Sequence, residues 1–202
     1  MTDDIIKLDN SNIRAKADYL SMVSEDGWLI KAVPIEYRDK TICETAIDNA
    51  DIQITDNYSI LSLIPCELRD RDMCLRAIKK DGAAIRDVPE DVKTYEMCYL
   101  AIQENGKELD MVPLQFRDEK MCLAAVSDDG VAILAVSEAL RTEELWRIAL
   151  RTRPEFITSM PNRFRTQELY VYLCRHAQKA QIDFSYIRKA FPERIIADTK
   201  MG

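Results

Sequence analysis

The stretch Val112-Pro113-Leu114-Gln115-Phe116-Arg117-Asp118-Glu119-Lys120-Met121-Cys122-Leu123-Ala124-Ala125-Val126 decides the fold, because its pattern returns along the chain at a fixed interval. Val33-Pro34, Ile64-Pro65, Val88-Pro89 and Met160-Pro161 occupy matching contexts, and Val136-Ser137 fills the remaining slot. The spacings from Pro34 onward are 31, 24, 24, 24 and 24 residues. The first is one period plus an insertion of 7 residues, which falls within about Asp48 to Tyr58. A fixed period in this range is the mark of a repeat architecture. Repeats are expected near 10–33, 34–64, 65–88, 89–112, 113–136, 137–160 and 161–182, with a degenerate cap over 183–202.

With the proline counted as position zero, each repeat has one internal grammar. Position three is apolar or aromatic, as in Tyr37, Leu68 and Phe116. Position four is basic: Arg38, Arg69, Lys93, Arg117, Arg141 and Arg165. Position five is Asp or Thr, a residue type that accepts hydrogen bonds from the free amides opening a helix. Positions eight, nine, twelve and thirteen are apolar, which makes an i, i+1, i+4, i+5 stripe along one helical face. Asp-Gly near position sixteen is expected to stop that helix, with the glycine of this column (Gly27, Gly82, Gly106, Gly130) able to adopt a positive φ. A second, shorter helical segment follows, with Ile or Leu at position twenty.

Period-two alternation is absent, so the chain reads as all-α. Helices of about 10 and 6 residues cannot close a core alone, so neighbouring repeats must stack, giving a single α-solenoid over residues 1–202. The phrase at residues 112–126 resembles the consensus of a bacterial tandem short-helical-repeat domain family of unknown function. It is more distantly similar to leucine-rich-repeat-variant and HEAT-type solenoids. The resemblance spans about residues 10–176. It implies a helical scaffold that binds protein and carries over no catalytic residue. The cysteine cluster that holds an iron–sulfur centre in some variant-repeat proteins has no counterpart.

Several chemistries are disfavoured by composition. The chain has 202 residues and a formal net charge of −7, which weighs against nucleic acid as the main partner. No stretch approaches the length of a membrane span, and the acidic start, Met-Thr-Asp-Asp, lacks the character of a secretory leader. Four of the 6 cysteines, Cys43, Cys74, Cys98 and Cys122, share position nine with Trp146 and Tyr170, as expected of an apolar slot. Cys66 and Cys174 fall outside that column. No Cys-x-x-Cys occurs, and His176, the 1 histidine, reads as a surface side chain. No metal, cofactor or small-molecule site is therefore expected, no enzymatic activity, and a reducing, cytoplasmic setting.

The position-four column has two readings: a ladder for an acidic ligand, or ties at the ends of the short helices. In repeat proteins contact residues sit where repeats differ, here positions one, two, six, seven, ten, eleven, eighteen and twenty-one. Residues 1–138 carry 16 Lys/Arg against 28 Asp/Glu, and residues 139–202 carry 12 against 7. The expected function is a non-enzymatic interaction module that neutralises a basic protein, in the manner of an immunity protein or inhibitor. Its candidate contact residues are Asp51, Ile54 and Tyr58 of the insertion, with Glu67, Glu90, Asp91 and Gln115 on the acidic repeats. The alternative is an effector or adaptor that docks an acidic protein or phosphorylated lipid through Arg147, Arg151 and Arg175.

Overall fold

A computed structural model describes residues 2–51, 58–180, 184–191 and 195–196, with side chains for 14–51, 58–175, 185, 187–191 and 195–196. Ile54 lies outside the described residues, as does the side chain of His176. Every regular element among the described residues is helical. The α-helices are α1 (Thr2–Glu25), α2 (Lys40–Asn49), α3 (Arg71–Lys80), α4 (Tyr95–Glu104), α5 (Glu119–Asp128), α6 (Glu143–Thr152), α7 (Gln167–Ala180) and α8 (Phe184–Ala190). From α2 to α7 the helix starts are separated by 31, 24, 24, 24 and 24 residues, the period of the sequence. At the N-terminus the structure departs from that ruler. α1 runs unbroken through residue 10, where a repeat boundary was expected.

Between α-helices the chain forms 3-10 helices. Longer ones cover Gly27–Ala32, Ile60–Leu63, Gly82–Asp87, Gly106–Met111, Gly130–Leu134 and Pro154–Ser159. Three-residue ones cover Ile35–Tyr37, Cys66–Leu68, Leu114–Phe116, Glu138–Leu140 and Asn162–Phe164. Pro34, Pro65, Pro113 and Pro161 stand just before a three-residue element, as Pro113 does with ψ 139, and Pro89 just before a turn over 90–92, so the missing amide costs no helical bond.

Two compact units divide the chain, Met1–Glu104 and Asn105–Gly202. Within the first, α1 packs on α2, α2 on α3 and α3 on α4, and the 3-10 helix 82–87 beds against both α3 and α4. Within the second, α5 packs on α6, α6 on α7 and α7 on α8, and 130–134 beds against both α5 and α6. The apolar stripe supplies the core. Ile42, Cys43, Ala46 and Ile47 of α2 are buried, as are Met121, Cys122, Ala125 and Val126 of α5. Ile30, Ile85, Leu109, Ile133 and Ile157 at position twenty close it from the other side. Each such side chain contributes about 1.5–3 kcal/mol by leaving water.

The glycines serve a purpose other than the one expected. Gly27, Gly106 and Gly130 do not have positive φ, and the residues before them, Asp26, Asn105 and Asp129, are extended. A Cβ on Gly27 would stand 2.0 Å from Ala46 O, one on Gly106 2.4 Å from Ala125 O, and one on Gly130 2.3 Å from Ala149 O. Glycine is therefore required by the approach of the next α-helix, whose position twelve is alanine. The preceding Asp or Asn turns its side chain onto the new 3-10 helix, as Asp129 does with the Val131 amide at 3.0 Å.

After Asn49 the chain turns extended at Ala50 (φ −76, ψ 121). The insertion therefore does not lengthen α2, which has the same 10 residues as α3.

Candidate interaction surface

The fixed polar columns are spent inside the chain. At position five, Asp39, Asp70, Thr94, Asp118, Thr142 and Thr166 accept from the amides of Ile42, Met73, Met97, Met121, Leu145 and Leu169, at 2.8–3.3 Å. Such caps each contribute about 1 kcal/mol. At position four the guanidinium works as a clasp. Nε of Arg38, Arg69, Arg117, Arg141 and Arg165 donates to the carbonyl five residues back, at 2.7–3.1 Å. A second nitrogen reaches forward to the next 3-10 helix: Arg38 to Leu63 O, Arg69 to Asp87 O and Arg117 to Ala135 O. In the last repeat Arg165 reaches Ala190 O at 2.8 Å, so α8 takes the place that the longer 3-10 helix holds in the other repeats, with Phe191 edge-on to Tyr170. A rigid fork of donors can serve carbonyls that lie on two different elements with little loss of freedom, which suits arginine here. Lys93 is the exception, with its ammonium 2.6 Å from Glu90 Oε1.

Position nine is the apolar slot expected of it. Cys43, Cys74, Cys98, Cys122 and Trp146 are buried. The thiols of Cys43, Cys74 and Cys122 point at the position-four carbonyl, at 3.6–3.8 Å. Burial pushes the Cys43, Cys74 and Cys98 thiols up to about 11, which leaves them protonated at neutral pH. All 6 cysteines are free thiols. Among the described residues no helix is long and apolar enough to cross a membrane, and no group of three His, Cys, Asp or Glu is placed to hold a metal ion.

What remains for contact is the set of positions where repeats differ. Positions one and two open the three-residue turns and face solvent. In the first unit they present Glu36, Glu67, Glu90 and Asp91, all exposed, together with Ile35 and Cys66. In the second unit they present Leu114, the most exposed large apolar side chain among the described residues at 74%, with exposed Gln115, Glu138 and Arg163. The first unit carries 13 Lys/Arg against 21 Asp/Glu, and the second 15 against 14.

The arginines singled out for the alternative are not equivalent. Arg147 bonds Glu143 at 2.9 Å and lies over the Tyr172 ring, 5.0 Å from its centre. Arg151 and Arg175 share position fourteen of successive repeats and are exposed.

At the insertion, Asp51 and Tyr58 both fasten to the 3-10 helix Gly27–Ala32. The Asp51 carbonyl accepts the Trp28 indole N–H at 2.8 Å. The Tyr58 ring stands edge-on to Trp28, with centres 5.9 Å apart. The sequence pattern singles out Tyr58 as a candidate contact and passes over Trp28 and Lys31, which meet it in space. The signal was present, since both occupy variable positions, eighteen and twenty-one. Comparison of the chain with protein-family models, with curated proteins and with solved structures returns no match.

Proposed function

We propose that this chain is a non-enzymatic protein-binding module, an α-solenoid of 24-residue repeats akin to the bacterial repeat family its sequence resembles, and that it neutralises a basic protein partner. One observation carries the reading. The recurring polar columns are consumed in capping and clasping, while positions one and two, which change from repeat to repeat, are turned to solvent and carry Glu36, Glu67, Glu90 and Asp91 in the first unit. Acidic side chains on successive turns raise the local concentration of a cationic partner and speed encounter. Thiols held neutral by burial suit a structural slot better than nucleophilic chemistry. Six unpaired thiols fit a reducing compartment such as the cytoplasm.

The test is titration of basic candidate proteins, nucleases among them, against the chain and against the Glu36→Gln/Glu67→Gln/Asp91→Asn variant. Glu90 is left in place because it pairs with Lys93. Binding should weaken at least tenfold in the variant and fall steeply as salt rises. Affinity that ignores both salt and the three carboxylates overturns the reading. Binding of an acidic protein or of phosphoinositide vesicles that is lost with Arg151→Glu/Arg175→Glu assigns the arginines of the second unit instead.

A further inference from the structure

Three departures from the repeat pattern meet at one place. Position eighteen is Trp28, where other repeats have Ala83, Lys107, Val131 and Glu155. Position twenty-one is Lys31, where others have Arg86, Asp110, Leu134 and Thr158. Tyr58 closes the single insertion. The Lys31 ammonium lies 4.8 Å from the centre of the Trp28 ring and 4.7 Å from that of Tyr58. It also donates to the Tyr58 hydroxyl. The two rings meet at 80°, so they present a corner rather than a flat stack.

Packing demands of the fold do not account for this corner. Tyr58 is 46% exposed, so its ring is not there to fill the core. Lys31 is exposed and bonds no carboxylate, unlike Lys16, Lys40 and Arg71 along the same unit. Trp28, by contrast, is anchored. Its ring is buried, and its indole N–H is held by the Asp51 carbonyl. One rigid aromatic wall and one exposed wall around an ammonium have the chemistry of a cation seat, since ring faces attract alkylammonium and guanidinium groups. The seat belongs to the unit with the excess of acidic residues, whose field draws cations toward it.

The geometry points to Trp28 and Tyr58 as a binding seat for a lysine-type ammonium of the basic partner, occupied in the free chain by Lys31 as a displaceable internal stand-in. This inference rests on the proposed function and names how that partner is gripped. The partner's cation takes the place of Lys31 between the rings, and the freed Lys31 turns to solvent. No bond is made or broken. Lys31 thereby sets a threshold, so that only a cation delivered at high local concentration, as on a docked protein, evicts it.

Trp28 reports the seat directly once the other tryptophan is removed. In a Trp146→Phe background, tetramethylammonium chloride is titrated against sodium chloride of equal ionic strength, and indole fluorescence is read. With Lys31→Ala, a saturable change is expected. With Lys31 in place, the same change should need at least tenfold more ligand. With Lys31→Ala/Tyr58→Leu it should vanish. Lys31→Met, which keeps the aliphatic stem, should behave as Lys31→Ala, and hexalysine should compete with tetramethylammonium. No saturable response in either Lys31 variant, or a response that survives loss of Tyr58, overturns the inference. The two proposals fail separately. A missing seat leaves the salt-sensitive, carboxylate-dependent capture of basic proteins intact, whereas a wrong partner class leaves the tetramethylammonium response intact.

Discussion

The repeat that begins at Pro34 and the one that begins at Pro113 build the same joint from different lengths of chain. Both have an α-helix of 10 residues, capped by Asp39 or Asp118. Both have an arginine whose Nε bonds the carbonyl five residues back, at 2.8 Å for Arg38 and 2.7 Å for Arg117. The forward arm of Arg38 reaches Leu63 O, 25 residues on, at 2.7 Å. That of Arg117 reaches Ala135 O, 18 residues on, at 2.9 Å. The excess of 7 equals the insertion. The clasp is therefore set by where the next 3-10 helix lies, not by the number of residues between. A longer connection adds little cost, because closure entropy grows only slowly with length.

One slot differs between the two repeats. Position seventeen is Gly130 in the regular repeat and Asp51 in the inserted one. Gly130 lies under Ala149 O, while Asp51 is exposed and gives its carbonyl to Trp28. In place of a glycine, the inserted repeat has at that slot a residue whose carbonyl holds the Trp28 indole.

The largest test of this difference is Gly130→Ala. A methyl group 2.3 Å from a helix carbonyl forces backbone apart, so a loss of about 3 kcal/mol is expected in urea unfolding. Asp51→Ala should change stability by less than about 0.5 kcal/mol, since only its main chain is engaged. Equal losses at the two sites would erase the distinction.

Next come the clasps. Arg38→Ala and Arg117→Ala should each cost about 2 kcal/mol, because each strips carbonyls of a charged donor. Near equality of the two values, by urea midpoint, is the point. A much smaller loss for Arg38 would mean that the longer connection loosens the joint.

A smaller effect follows from pH. Arg153 holds Asp129 through two bonds of 3.0 Å and brings its carboxyl down from 3.8 to about 2. A carboxylate depressed in the folded state stabilises above its unfolded value, and that contribution drains away as pH falls from about 4 to about 2. In Arg153→Gln this part of the acid loss should disappear, so the difference in midpoint between the variant and the parent should shrink from pH 5 to pH 2.5. A constant difference would refute the linkage. The inserted repeat has no such pair at that slot, where Ala50 stands.

The smallest effect is expected at Arg71–Glu96, 3.1 Å apart but with side chains 61% and 71% exposed. Removing either partner should shift stability by about 0.5 kcal/mol or less, and the shift should fade in high salt.

Much of this was written in the order of residues. The 24-residue period, the helix starts, the position-five caps and the buried stripe through Cys43, Cys74, Cys98 and Cys122 were all legible, because each depends on neighbours within one or two helical turns. The arginine column was visible as a regularity, but its partners were not. Leu63 O and Ala135 O carry no side-chain signature, and any residue offers a carbonyl. The glycine column was visible too, with the wrong cause attached. Local sequence suggested a positive φ, whereas the requirement comes from a helix about a full repeat away.

Which positions are equivalent is already fixed by the order of residues, since periodicity is a statement about one chain read in a line. What those positions are for emerges when the chain is folded. A clasp across 18 or 25 residues, a glycine pressed by the following helix, and an ammonium held between Trp28 and Tyr58 all arise from groups far apart in the chain. Hydrogen bonds, steric exclusion and cation–π attraction act over a few ångströms of space, whatever the distance along the backbone.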